Sequence, residues 1–344
     1  MYKPVLIYYD TLNFQEDTLM YLKKNFTLFT FSDPQHDTEE ALQKAEALFA
    51  PMGFMFDKNK IGLCTNLRVI ATPTTAELHI DSEYAKKRNI SICSLKNQKE
   101  FLSKITPTAE LTWGLLLAVT RRIPSAFDSV CKGNWNGRVF GEQTPRMLSA
   151  MTLGIIGLGR LGSIVASYGK AFKMNVLYYD PFISDDEYTR CNDLYDLAGR
   201  CDIISVHVHL TKETEGLIGH KFLQCMPKGS FIINTARGGI IEEDALLEAL
   251  QTKHLAGAGL DMLTGEHLPG FKDTLNEHSL VEYANTHDNL LITPKIGGST
   301  IDAREKTEKH IVDIIIKELN KRELNTDKDY SMELLNKDLT GTDN

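Results

Sequence analysis

The sequence predicts an α/β protein built from doubly wound parallel sheets. Short apolar runs rich in Val, Ile, Leu and Tyr recur along the chain, stretches of helical periodicity separate them, and a glycine triplet stands at one strand-to-helix junction. The runs read as strands are VLIYY (5–9), LRVIA (67–71), LGIIG (153–157), NVLYYD (175–180), DIISVHV (202–208), SFIIN (230–234), AGAGLD (256–261) and LLIT (290–293). With 344 residues, 42% of them apolar, the chain can build two cores, so two domains are expected.

Two helices stand out. The stretch 108–122, TAELTWGLLLAVTRR, follows Pro107 with a cap-like Thr, an acidic first turn and a basic last turn. Its apolar residues run nearly all round, so it is expected between layers or domains. A second helical pattern covers about 299–319 and could return the chain to its first domain. Between the first helix and the strand at 153 lies CKGNWNGRVFGEQTPRM (131–147), either a surface excursion or an arm for another subunit. The last twenty or so residues are polar and expected to be only partly ordered.

A net charge of −8 and scattered Lys and Arg argue against nucleic acid and anionic membranes as partners. The N-terminus reads as a first strand rather than a secretory signal, and no apolar window approaches the roughly 18 residues of a membrane helix. A cytoplasmic protein acting on small molecules is expected. Six widely spaced cysteines point to reduced thiols, mostly buried. His207 and His209 face one way in a strand, yet no third ligand stands near them, so no metal is expected.

The cofactor is read from LGIIGLGRLG (153–162). A strand precedes Gly157-x-Gly159-x-x-Gly162, a helical pattern follows, and a second strand ends in Asp180. Gly157 permits the tight turn, Gly159 lets a pyrophosphate approach backbone amides, and Gly162 lets helix and sheet pack closely. Arg160 and Leu161 lie in that turn. Asp180 would accept hydrogen bonds from the adenosine ribose, and the Pro-Phe-Ile-Ser after it offers no cation for a 2′-phosphate, so NAD is favoured over NADP.

Beyond this Rossmann-like unit, LTKETEGLIG (210–219), MPKGSFIINTARGGIIEEDALLEAL (226–250), AGAGLDMLTGE (256–266) and NLLITPKIGGST (289–300) resemble the D-isomer-specific 2-hydroxyacid dehydrogenase family over residues 60 to 320. The resemblance implies two Rossmann-like domains: a discontinuous substrate-binding domain, 1–106 with 303–344, and an NAD-binding domain, 107–302. It also implies a homodimer built largely from the NAD domains, which would give the excursion around Trp135 its use.

On the same resemblance Arg237 binds the substrate carboxylate, for which a guanidinium fork is well shaped. Asp261 bonds the nicotinamide carboxamide, the backbone of Thr235 and Ala236 lines the ring, and Glu266 pairs with the catalytic base. Lys295 departs from the pattern, standing where the family has histidine. A free histidine titrates near 6.5 and gives or takes a proton, whereas a free lysine titrates near 10.4 and is chiefly a donor. Three readings follow: Lys295 is the general acid of an enzyme biased toward reduction; the protein is a catalytically weak NAD-binding regulator or scaffold; or Lys295 holds a further anionic group while water or His267 moves the proton. Formate or phosphite oxidation fits less well, because a donor-only lysine would not assist it.

The substrate wall departs as well. TTAELHID (74–81) lacks the glycine of the usual turn, though Thr75, Ala76, Glu77, Leu78 and His79 are still expected to line the substrate. Lys96 and Lys99 are either solvated or placed for a second anionic group. His209, where relatives commonly have proline, is expected only to reshape the adenine side.

Overall fold

Val5–Tyr9 (β1) is a run of branched and aromatic residues, the composition that suits a pleated, covered surface. It pairs in parallel with Thr27–Phe31 (β2) on one side and Ala47–Phe49 (β3) on the other. Val69–Ala71 (β4) and Ser91–Cys93 (β5) extend the sheet to the order β2-β1-β3-β4-β5, all parallel. Every residue of β3 and β4 is buried, as continuous apolar strands between helical layers must be. The computed structural model describes residues 2–137, 146–266, 268 and 270–339, with side chains up to residue 321.

The chain divides into two units: residues up to Leu102 together with those from Ile301 on, and Ser103–Thr300. The helix Ile301–Leu339 belongs to the first. Its Ile311, Val312, Ile315 and Leu319 enter the core formed by Leu6, Tyr8, Phe49 and Val69, and each such side chain removed from water contributes on the order of 2 kcal/mol. Glu308 accepts the Gln15 amide at 2.8 Å, and Arg68 donates to the Leu319 carbonyl at 2.6 Å.

The second unit holds seven parallel strands: Thr152–Ile156 (β6), Asn175–Tyr179 (β7), Thr189–Arg190 (β8), Ile203–Val206 (β9), Ser230–Asn234 (β10), Leu255–Leu260 (β11) and Leu290–Ile292 (β12), in the order β12-β11-β10-β9-β6-β7-β8. The direction of winding reverses between β6 and β9, and such a reversal opens a crevice at the carboxyl ends of the strands. The two parallel sheets flanked by helices are the predicted α/β class.

The helix Pro107–Thr120 is apolar all round because it is enclosed within the second unit. Leu115 packs on Gly259 and Val119 on Gly257, where a Cβ would come within 3.0 and 2.6 Å of them. Trp113 stacks on Phe172 at 4.6 Å and donates from Nε1 to the Val165 carbonyl at 3.2 Å. The next helix, Ile123–Cys131, buries none of its residues and exposes Ile123, Phe127 and Val130. The segment 138–145 of the expected arm lies outside the described residues, whereas Trp135 is described and is 90% exposed. All six cysteines are free thiols; Cys131 and Cys225 are exposed and the other four buried. Among the described residues no helix is long and apolar enough to cross a membrane.

Candidate active site

The site residues predicted in the second unit stand just past the carboxyl ends of its strands: Gly157 after β6, Asp180 after β7, Thr235 to Arg237 after β10, Asp261 after β11 and Lys295 after β12. A doubly wound sheet places its ligands at this edge.

The backbone itself demands glycine at two of the three positions. Gly157 adopts φ +87, and a Cβ there would meet the His207 carbonyl at 2.9 Å. A Cβ on Gly162 would strike the Gly157 carbonyl at 2.0 Å, so only glycine allows the helix Arg160–Ala171 to start so close to β6. Gly159, the N-cap of that helix, has nothing within 4 Å of a Cβ position, so the space beside its Cα is open. The Arg160 guanidinium turns back to the Ile105 carbonyl at 2.7 Å.

Asp180 is 7% exposed and ties this loop to β7. Its Oδ2 accepts the Leu158 amide at 2.8 Å, and its Oδ1 accepts those of Phe182 and Ile183 at 2.8 and 2.9 Å. A carboxylate offers about four acceptor positions, so one remains for a ribose hydroxyl. Open space at Gly159 and a fixed acid at Asp180 fit NAD. One neighbour escaped the sequence reading, which searched only the residues directly after Asp180: Arg190, ten positions on, donates to the Asp180 carbonyl at 2.7 Å.

His207 directly follows β9. Its Nε2 lies 2.8 Å from the Ser205 hydroxyl, and desolvation of the ring pushes the imidazole down to about 3. Among the described residues no group of three or more His, Cys, Asp or Glu is placed to hold a metal ion.

The turn after β10 is braced by Asn234, which the sequence reading passed over. Its Oδ1 accepts the Ala236 amide at 3.0 Å and its Nδ2 donates to the Arg237 carbonyl at 2.8 Å. An Asn bonding its own backbone two residues on is the only sequence signal. Thr235 shares a 2.7 Å hydroxyl contact with Thr112. Arg237 is half-buried and donates from Nη1 to the Ala236 carbonyl at 2.6 Å, leaving the rest of its fork for a ligand.

Gly238 presses on the next loop. A Cβ there would meet the backbone of Leu263 and Thr264 at 2.1 to 2.4 Å, so the arginine turn and the Glu266 loop are seated on each other. Glu243 adds a second tie: its Oε1 accepts the Thr264 amide at 2.8 Å, and its Oε2 lies 3.2 Å from His278 Nε2. Neither residue was predicted, because their partners are distant in sequence.

Lys295 and Glu266 meet. The ammonium lies 3.2 Å from Oε1 and 3.0 Å from Oε2, with the lysine side chain 43% exposed and the glutamate 12%. The amine is therefore oriented by a partly buried carboxylate yet reachable from outside. Asp261 is 3% exposed, and its carboxylate accepts from Thr293 Oγ1 at 2.6 Å and from the amides of Ile296 and Gly297 at 2.9 Å each. His267 lies outside the described residues.

In the first unit, the loop Thr75–His79 is held by His79 Nε2, 3.0 Å from the Ala50 carbonyl, and by Glu77, which accepts Ser94 Oγ at 2.5 Å. Lys96 is neither merely solvated nor unengaged: its ammonium pairs with Glu77 Oε2 at 3.1 Å. Lys99 opens the short helix Lys99–Leu102.

Comparison with known proteins agrees with this geometry. Residues 113–297 match the family model of the D-isomer-specific 2-hydroxyacid dehydrogenase NAD-binding domain. A glyoxylate reductase of Thermofilum pendens is 34% identical over 275 residues, covering 77% of this chain and 76% of that protein. Another, of Thermococcus litoralis, is 32% identical over 308 residues, covering 86% and 88%. Among solved structures, the D-lactate dehydrogenase of Aquifex aeolicus complexed with NAD and lactic acid is 30% identical, with a TM-score of 0.78 and coverage of 93% and 96%. The chain belongs to the D-isomer-specific 2-hydroxyacid dehydrogenase family, and residues 113–297 are its NAD-binding domain. NAD-dependent oxidoreduction goes with that membership.

Proposed function

We propose that the protein reduces a 2-oxo acid to a D-2-hydroxy acid, with Lys295 as the proton donor. NADH, when bound, supplies the hydride. Arg237 clamps the substrate carboxylate and draws electron density from the neighbouring carbonyl. As hydride reaches the carbonyl carbon, negative charge gathers on its oxygen, and the Lys295 ammonium gives that oxygen a proton. Glu266 aims the ammonium and balances its charge. The pairing of Lys295 with Glu266, at 3.0 Å and still open to solvent, is the observation that carries this reading. An ammonium is a good donor and a poor acceptor, which favours reduction over oxidation.

Thr75, Ala76, Glu77, Leu78 and His79 are proposed to contact substrate, with Glu77 already neutralised by Lys96. We further propose a cytosolic homodimer. The free thiols support the compartment, and the exposed stripe Ile123, Phe127 and Val130, with Trp135, supports the second copy.

The test is NADH oxidation over a panel of 2-oxo acids, repeated with Lys295→His. The parent is expected to turn over at least one acid, and the histidine variant to change its rate and pH profile. An inert parent that gains activity with histidine would instead make it an NAD-binding regulator.

A further inference from the structure

We infer that Asp261 is the positioning residue for Lys295, and that it acts through the loop 293–297. The resemblance assigns this carboxylate to the nicotinamide carboxamide, but three donors from the lysine loop already occupy it: Thr293 Oγ1, the Ile296 amide and the Gly297 amide. The Asp261 main chain joins in, its carbonyl accepting the Lys295 amide at 3.1 Å. That amide also approaches the Thr293 carbonyl at 3.0 Å, which closes a tight turn across Pro294. Inside the turn Lys295 adopts φ +56, the left-handed region that residues with a Cβ adopt infrequently.

The packing leaves little freedom. A Cβ on Gly297 would stand 3.0 Å from Asp261 Oδ2 and 3.3 Å from Thr108 Cγ2, so glycine is what lets this amide reach the carboxylate. The carboxylate is 97% removed from solvent, and a buried anion holds its donors firmly because releasing one leaves charge unsolvated. Lys295 lies between two of those donors, Thr293 and Ile296. Its side chain therefore leaves the backbone in a direction Asp261 sets, and Glu266 receives the ammonium at the end of that path. The carboxylate retains about one acceptor position, enough for a carboxamide, so cofactor and lysine loop would share one anion.

The inference deepens the assignment of Lys295 as proton donor and rests on it for its catalytic meaning, but the positioning itself can be read without turnover. The measurement is the acetylation rate of Lys295 in the full-length protein under limiting acetic anhydride, followed by peptide mass spectrometry. Lys170, paired with Glu187 at 2.7 Å in the same unit, is the internal standard, and Glu266→Gln marks the unpaired lysine. Thr293→Val deletes one donor with little change of shape, Thr293→Ser restores it, and Asp261→Asn removes the charge. Thr293→Val and Asp261→Asn are expected to raise Lys295 labelling about three- to tenfold relative to Lys170, the range that loss of one buried hydrogen bond allows. Thr293→Ser is expected to stay within about twofold of the parent. NADH affinity of Thr293→Val, from fluorescence titration, is expected to change by less than about threefold. Unchanged Lys295 labelling in both disruptive variants overturns the positioning role, as does a rise shared equally by Lys170. A parent that reduces no 2-oxo acid but shows the expected labelling pattern removes the proposed function and leaves the positioning role standing.

Discussion

Lys295 shows how one side chain can alter a chemistry while its setting stays in place. The left-handed backbone, the Glu266 partner and the Asp261 bonds hold the position at which we propose proton transfer, and a lysine occupies it. Replacement by histidine brings a group whose free form titrates near 6.5 and which the Glu266 carboxylate would keep protonated to somewhat higher pH, so the reduction rate of Lys295→His is expected to fall as pH rises through neutrality. A pH series of NADH oxidation by the variant reads it. His207 gives a second prediction, about stability. Its ring is held neutral down to about 3 in the fold, so below the unfolded value near 6.5 the unfolded chain binds one more proton. Stability is lost as pH falls from about 6.5 toward 3, amounting to about 2 kcal/mol at pH 5. Urea unfolding at pH 7 and pH 5 is expected to show that much less acid sensitivity in His207→Gln than in the parent.

At the scale of elements, the strand ends carry the site and the loops after them decide its chemistry. Arg190 reaches the main chain of Asp180 through the path from β7 to β8, so a cation stands close to the acid proposed for the ribose. Asp180→Ser is expected to improve NADPH use relative to NADH by about tenfold, since it removes the charge that repels a 2′-phosphate and leaves Arg190 to attract one. Paired titrations of the two nucleotides decide it, and no shift in preference would remove Arg190 from the account. The glycine triplet, Asp180 and six of the seven strands described in the second unit were legible in the sequence because each depends on residues near in sequence: a strand, a turn and the next helix. β2, β3, β5 and β8 were not singled out. β3 and β5 are three residues long and β8 two, too short for periodicity to register, and β2, TLFTF, breaks its apolar residues with threonines so that neither a continuous apolar run nor a strict alternation marks it. Glu243, His278 and Thr293 went unread for another reason. Glu243 bonds a loop twenty-one residues away and Thr293 a carboxylate thirty-two away, and only the sheet order brings such partners together. Lys96 was readable as a charge and not as half of a pair, since Glu77 reaches it only once β4 and β5 lie side by side.

At the scale of the molecule, the helix Ile123–Cys131 carries an apolar stripe that its own unit leaves uncovered. Phe127→Glu places a charge in the middle of that stripe. It is expected to convert a dimer to a monomer in sedimentation equilibrium without altering NADH binding; a parent that is already monomeric would leave the stripe without its proposed partner. Sequence patterning foresaw the α/β class, and the departure at Lys295 was visible from the motif alone. Its meaning depended on where the ammonium lies, which needed the fold. The measurement that tests the central claim most directly is the single-turnover rate of NADH oxidation by a 2-oxo acid in stopped flow, parent against Lys295→Met, with NADH bound to saturation in both. If the ammonium delivers the proton, the methionine variant binds NADH as the parent does and loses about a hundredfold or more in rate. A variant that oxidises bound NADH as fast as the parent contradicts the account.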